Sequence, residues 1–149
     1  MNEMNRREFV AAACAACMCA GGMAMAAEPG GPVDAGELGT YAKDGIYDQF
    51  AKTNKIFLIR NKGKLYATSA VCTHKSSLLE KHATDPRQIE CSKHGSVFNM
   101  EGTVTKAPAK KALPRYAIVV NDQKHVIVDT SKAIEEGKWN EAGAFVTVG

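Results

Sequence analysis

Two short pairs of residues constrain this 149-residue chain more than anything else in it: Cys72-Thr73-His74 and Cys91-Ser92-Lys93-His94, with sixteen residues between them. Two thiols and two imidazoles can act together only if the loops that carry them are neighbours in the fold. The flanking sequence is strand-like, with the apolar run Leu65-Tyr66-Ala67-Thr68-Ser69-Ala70-Val71 leading into the first pair and Gly95-Ser96-Val97-Phe98 leading out of the second. Cys-x-His with Cys-x-x-His is a mixed sulfur and nitrogen donor set for one metal centre.

The donor set alone leaves two metals open. Two Cys and two His also suit a single tetrahedral zinc used as a staple. Zinc-finger spacing, however, usually puts Cys with Cys and His with His, on a hairpin and a helix. Here each pair is mixed, and Gly95 follows the last candidate ligand.

The wider pattern is more specific. An apolar strand, a Cys-x-His loop, a spacer, Cys-x-x-His-Gly-Ser-x-Phe and a Pro-containing segment from Ala107-Pro108-Ala109 to Leu113-Pro114-Arg115-Tyr116 follow one another. This order resembles the Rieske [2Fe–2S] family over residues 56–129. The resemblance implies one cluster per chain, with Cys72 and Cys91 on one iron, His74 and His94 on the other, and the His-bound iron near the surface. His in place of Cys leaves the oxidised cluster uncharged, which raises its potential to about −150 to +300 mV and suits it to passing single electrons.

Two residues near the motif bear on the potential. By the resemblance, the Ser96 hydroxyl hydrogen-bonds a cluster sulfide and favours the reduced state, whereas Phe98 lacks the second hydroxyl that a Tyr supplies in high-potential members. An intermediate potential is expected. Rieske subunits of quinol-oxidising bc complexes also carry one extra Cys in each loop, joined as a disulfide. Ser77 and Lys93 stand in those places here, and the other three cysteines, Cys14, Cys17 and Cys19, lie near the N-terminus.

Asn5-Arg6-Arg7-Glu8-Phe9-Val10 resembles the twin-arginine export motif and precedes an uncharged Ala-rich run from Phe9 to Ala27. Two fates are open for residues 1–27. Small residues at Ala24-Met25-Ala26 and Met25-Ala26-Ala27 read as cleavage sites, and nineteen uncharged residues are also just long enough to remain as a membrane anchor. Either way the expected location is the periplasm or the outer face of the cytoplasmic membrane.

The remainder divides into a Pro/Gly-rich lead-in over residues 28–42 and a single domain over residues 43–149. A formal net charge of +3 is too mild to argue for nucleic acid. Basic residues do crowd the motif: Lys75, Lys81, Arg87, Lys93, Lys106, Lys110, Lys111 and Arg115, against Glu80, Asp85, Glu90 and Glu101. They form either a solvated face or a surface that steers an acidic redox partner.

Strand signals fall at residues 56–60 and 64–71 around Asn61-Lys62-Gly63, at 88–90 and 96–100, and at 116–120 and 125–129 around Asn121-Asp122-Gln123-Lys124. Residues 43–55 read as an irregular or helical approach, 76–82 as one helical turn, and 132–136 as a short helix capped by Ser131 and ended by Gly137. Trp139, Phe145 and Val148 are expected to pack back on the domain. Regularly spaced short strands predict an all-β domain, a small antiparallel barrel or sandwich with a cluster-binding subdomain, as the family implies.

Three functions compete at this point. The first is an exported one-electron carrier passing electrons between a quinol or oxidoreductase and a cytochrome-type acceptor, with no catalytic site of its own. The second is an anchored Rieske subunit of a bc-type complex. The third is a zinc-stapled interaction module without redox chemistry. His82 and His125 are read as surface or hairpin residues outside the four-ligand set.

Overall fold

The computed structural model describes residues 30–149, so the twin-arginine segment lies outside the described residues. Among the described residues there are eleven strands: β1 (Pro32–Glu37), β2 (Gly45–Tyr47), β3 (Ile56–Asn61), β4 (Lys64–Ser69), β5 (Glu80–Lys81), β6 (Gln88–Glu90), β7 (Val97–Asn99), β8 (Val104–Lys106), β9 (Arg115–Val120), β10 (His125–Ile134) and β11 (Val146–Thr147). They form two antiparallel sheets. The larger has the order β1-β10-β9-β4-β3-β2, with β11 also on β4, and the smaller runs β5-β6-β7-β8. The fold is therefore all-β, as expected.

Strands β3 and β4 hold the two parts together. Successive side chains of a strand point to opposite faces. Ile56, Leu58, Leu65 and Ala67 enter one core cluster with Ala35, Tyr41, Ile118, Val126 and Val128. Phe57, Ile59 and Tyr66 enter the other, with Leu79, Ile89, Phe98 and Leu113. Both faces being buried explains why these strands read as continuous apolar runs and not as alternating ones. The second cluster also contains Cys72 and Cys91.

Several local expectations change. Residues 32–37 form β1, which pairs with β10, where a lead-in was expected. Pro32 is tolerated because β1 is an edge strand, and Gly36, at φ 84°, sits where the register slips between Asp34 and Glu37. Residues 43–55 contribute β2 and turns. The turn expected at 76–82 instead ends in β5.

The helix expected over 132–136 is also absent. Strand β10 runs on to Ile134 across a register shift, and a 3-10 turn follows at Glu136–Lys138. Ser131 does not cap, because the Asp129 carboxylate takes both its hydroxyl and its N–H. The tail packs as expected: Trp139 and Val148 are buried, and Phe145 lies against the Cys-containing core.

Candidate metal centre

Both candidate loops have the same backbone. In the first, Val71 bridges to Leu78, the Cys72 N–H donates to the Ser77 carbonyl at 2.8 Å, and the Ser76 N–H donates to the Cys72 carbonyl at 3.0 Å. In the second, Glu90 pairs with Val97, the Cys91 N–H donates to the Ser96 carbonyl at 2.8 Å, and the Gly95 N–H donates to the Cys91 carbonyl at 2.8 Å. The residue four beyond each cysteine is left-handed, Ser76 at φ 52° and Gly95 at φ 75°. The histidine falls two residues after Cys72 but three after Cys91, so Lys75 and Lys93 fill the complementary places.

These loops bring the donors together. Cys72 and Cys91 are buried, free thiols, 2% and 1% exposed. The His74 and His94 rings meet edge to face, with centroids 5.1 Å apart and planes at 79°. His94 is exposed and His74 half-buried. The His74 Nδ1 atom is buried without a hydrogen-bond partner. Leaving such a nitrogen unsatisfied costs about 1–3 kcal/mol, and coordination to a metal removes that cost.

A [2Fe–2S] cluster fits this donor set. A binuclear cluster asks for two pairs of donors, each on its own iron, and two thiols and two imidazoles are what the loops offer.

A third segment, residues 107–114, closes against both loops. The Thr73 hydroxyl donates to the Lys111 carbonyl at 2.7 Å, and the Ala109 N–H donates to Ser96 Oγ at 3.0 Å. Its far end is tied by Leu113 N–H to the Gly102 carbonyl and by Ser69 N–H to the Pro114 carbonyl. Ser96 is fully buried, and among the described residues its hydroxyl proton has no protein acceptor. Phe98 is likewise fully buried in the core that holds both thiols.

The other two histidines stand apart. His82 Nδ1 accepts the N–H groups of Thr84 and Asp85 and so organises a turn. His125 Nδ1 lies 2.9 Å from the Asp34 carboxylate, across the pairing of β1 with β10. The Asp34 carboxyl is held below its ordinary range, first by the hydrogen bond to His125 and then by the Gly36 N–H.

Sequence reasoning missed Thr73 and the equivalence of the two loops. The repeated offset from each cysteine to Ser76-Ser77 and to Gly95-Ser96 carries that signal.

Residues 35–117 match the family described as the Rieske [2Fe-2S] domain. The cytochrome b6-f complex iron-sulfur subunit of Chlorobaculum tepidum is 31% identical over 75 residues, which cover 50% of this chain and 40% of that one. The ferredoxin component of the naphthalene 1,2-dioxygenase system of Pseudomonas aeruginosa is 28% identical over 78 residues, covering 52% and 74%. Among solved structures, the cyanobacterial plasma membrane Rieske protein PetC3 from Synechocystis PCC 6803 aligns with a TM-score of 0.47 at 22% identity, covering 64% of this chain and 97% of that one. The chain spans 38% to 51% of the length of the b6-f subunits it matches. With a match covering more than half of its 149 residues, two equivalent Cys- and His-bearing loops and an all-β frame, the chain belongs to the Rieske [2Fe–2S] domain family.

Proposed function

We propose that this chain is an exported one-electron carrier whose cluster is held by Cys72 and Cys91 on one iron and by His74 and His94 on the other. The observation that carries this reading is the pair of equivalent loops, with two buried thiols and two histidine rings 5.1 Å apart. When bound, the cluster supplies a site that takes up and releases one electron.

The chain's own residues do the rest. The buried, unpartnered Nδ1 supports coordination by that nitrogen of His74, and the exposed ring of His94 would give an electron a short way out. Ser96, its oxygen already holding the Ala109 N–H, keeps a proton to donate toward a sulfide, and Phe98 excludes water without donating. The segment 107–114 shields the two loops, clasped at Thr73 and Ser96. The loop disulfide of bc-complex subunits has no counterpart, because serine and lysine occupy its positions at Ser77 and Lys93.

The donor is a quinol or an oxidoreductase, and the acceptor a cytochrome-type protein. Arg6-Arg7 directs export to the periplasm or the outer face of the cytoplasmic membrane. The domain occupies residues 43–149, extended by β1 at its edge. The b6-f relatives favour a second reading, in which residues 1–27 stay as an anchor and the chain serves a bc-type complex.

Visible absorption, EPR and metal analysis of the purified protein test the first reading. A coloured protein with two irons and a Rieske EPR signal is expected, and a colourless protein with one zinc would overturn it. Changing Arg6 and Arg7 together to Lys should leave folded, cluster-loaded protein in the cytoplasm. If that variant is still exported with its cluster, the twin-arginine reading fails. The mass of the mature protein separates cleavage after residue 27 from retention.

A further inference from the structure

We infer that a collar of five lysines around the exposed His94 is the docking surface of this carrier, and that it fits a redox protein whose own centre is rimmed by carboxylates. The inference rests on the proposed role of the two loops and names the kind of partner that reads them.

Of the basic residues near the motif, the structure removes several from the candidate surface. Lys81 pairs with Asp48 at 3.3 Å, Arg87 lies at the end of β6 opposite Cys91, in a hollow shared with Asp85 and Glu101, and Arg115 is buried between Tyr66, 3.7 Å from its ring centroid, and Trp139, at 4.3 Å. Lys75, Lys93, Lys106, Lys110 and Lys111 remain. All five are exposed, and among the described residues none forms an ion pair.

Their placement is tied to the histidines. Lys75 follows His74 and Lys93 precedes His94, in the complementary places of two equivalent loops, so each histidine has a lysine beside it in sequence and another at the equivalent position of the opposite loop. Lys110 and Lys111 ride on the segment clasped to Thr73 and Ser96, and Lys106 pairs through the backbone with Val97. No Asp or Glu occurs in residues 70–79, 91–98 or 106–115, so every carboxylate of the described chain lies outside these three stretches. Five like charges held close without compensation repel one another, and an opposing row of carboxylates relieves that repulsion while orienting the approach.

An anionic bilayer is the other polyanion that such a face could meet. The exposed large apolar side chain among the described residues is Val119, on β9 and outside the three stretches, so this face has no apolar anchor to insert into lipid. A protein partner is the better fit.

The test compares K75Q/K93Q/K111Q with the control K43Q/K52Q/K138Q, which removes the same charge from exposed sites elsewhere. Each protein is purified with its cluster, and loading is checked by EPR. Stopped flow then follows the transfer of one electron from the reduced protein to hexacyanoferrate(III), which becomes hexacyanoferrate(II), over a range of salt. In parallel, fluorescent oligoglutamate and vesicles of phosphatidylglycerol are tested for binding by anisotropy and sedimentation.

The wild type and the control should react fast at low salt and slow as salt rises, and should bind oligoglutamate. The collar variant should lose about tenfold in rate at low salt and most of its salt dependence, and should not bind the peptide. Equal behaviour of the two triple variants overturns the inference. So does binding of wild type to the vesicles without binding to oligoglutamate. Failure to find a Rieske EPR signal in any of the proteins would strike the underlying functional reading, whereas the peptide arm still reports on the lysines.

Discussion

The two equivalent loops contain a natural comparison at single residues. Both need a left-handed residue four positions after the cysteine, and one uses Gly95 where the other uses Ser76. An L-residue in that conformation costs about 1–2 kcal/mol relative to glycine, partly offset by the lower backbone entropy of non-glycine residues in the unfolded chain. A Cβ added at Gly95 would meet nothing within 4 Å, so backbone conformation alone decides the outcome there. Gly95→Ala should destabilise the protein by about 1 kcal/mol and Ser76→Gly should stabilise it by a similar amount, read as opposite shifts in thermal unfolding. Shifts of the same sign would show that the loops are not energetically alike.

Ser96 and Phe98 separate structure from potential. Ser96→Ala removes the acceptor of the buried Ala109 N–H, so it should cost about 1–3 kcal/mol of stability as well as lowering the potential. Phe98→Tyr adds a donor and removes none, so it should raise the potential. Redox titration followed by EPR, beside a melting curve, distinguishes the two effects. A Ser96→Ala protein that melts early but keeps its midpoint would confine the serine to holding residues 107–114 in place.

At the scale of elements, legibility tracked burial. Strands β3 and β4 are buried on both faces, and their apolar runs announced them. The hairpin of β9 and β10 was visible because Asn121-Asp122-Gln123-Lys124 separates two β-branched runs. Strands β5 and β11 have two residues each, too few for any period to show. Strand β1 was hidden by Pro32 and Gly36, which mark breaks in a central strand but are acceptable at an edge and a bulge. The four proposed donors were singled out by their spacing, whereas the clasp from Thr73 to Lys111 joins residues 38 apart and has no local signature.

The edge strand also carries a side-chain contact that spans β1 and β10, between the Asp34 carboxylate and the His125 ring. Because the Asp34 carboxyl is held below its ordinary range when folded, its contribution is present at neutral pH and is lost as pH falls through that depressed value. Asp34→Asn should therefore lower stability near neutral pH, with the difference from wild type vanishing in strong acid, as urea titrations at several pH values would record. A difference that persists in acid would assign the effect to the Gly36 turn in place of the contact with His125.

For the whole molecule, the division into two cores predicts how it responds to loss of the cluster. The core that holds Cys72 and Cys91 packs the small sheet against one face of β3 and β4, while the other core is built by the large sheet with Tyr41 and Val148 from the segments beside it. Metal sites stabilise the elements that carry their ligands, and apolar packing stabilises the rest. On the proposed ligand set, removing the cluster would leave the His74 Nδ1 atom unpaired and Cys72 and Cys91 as free thiols. Amide exchange on the protein stripped of iron should therefore rise in residues 71–78, 88–99 and 107–114, while β3, β9 and β10 keep their protection. The buried Ile56, Leu58, Ile118, Val126 and Val128 lie in the core that holds neither thiol. If exchange rose evenly across both sheets, the protein would be a single cooperative unit nucleated by its cluster. If it rose nowhere, the two loops would be held by residues 107–114 alone, through the bonds of Thr73 and Ser96.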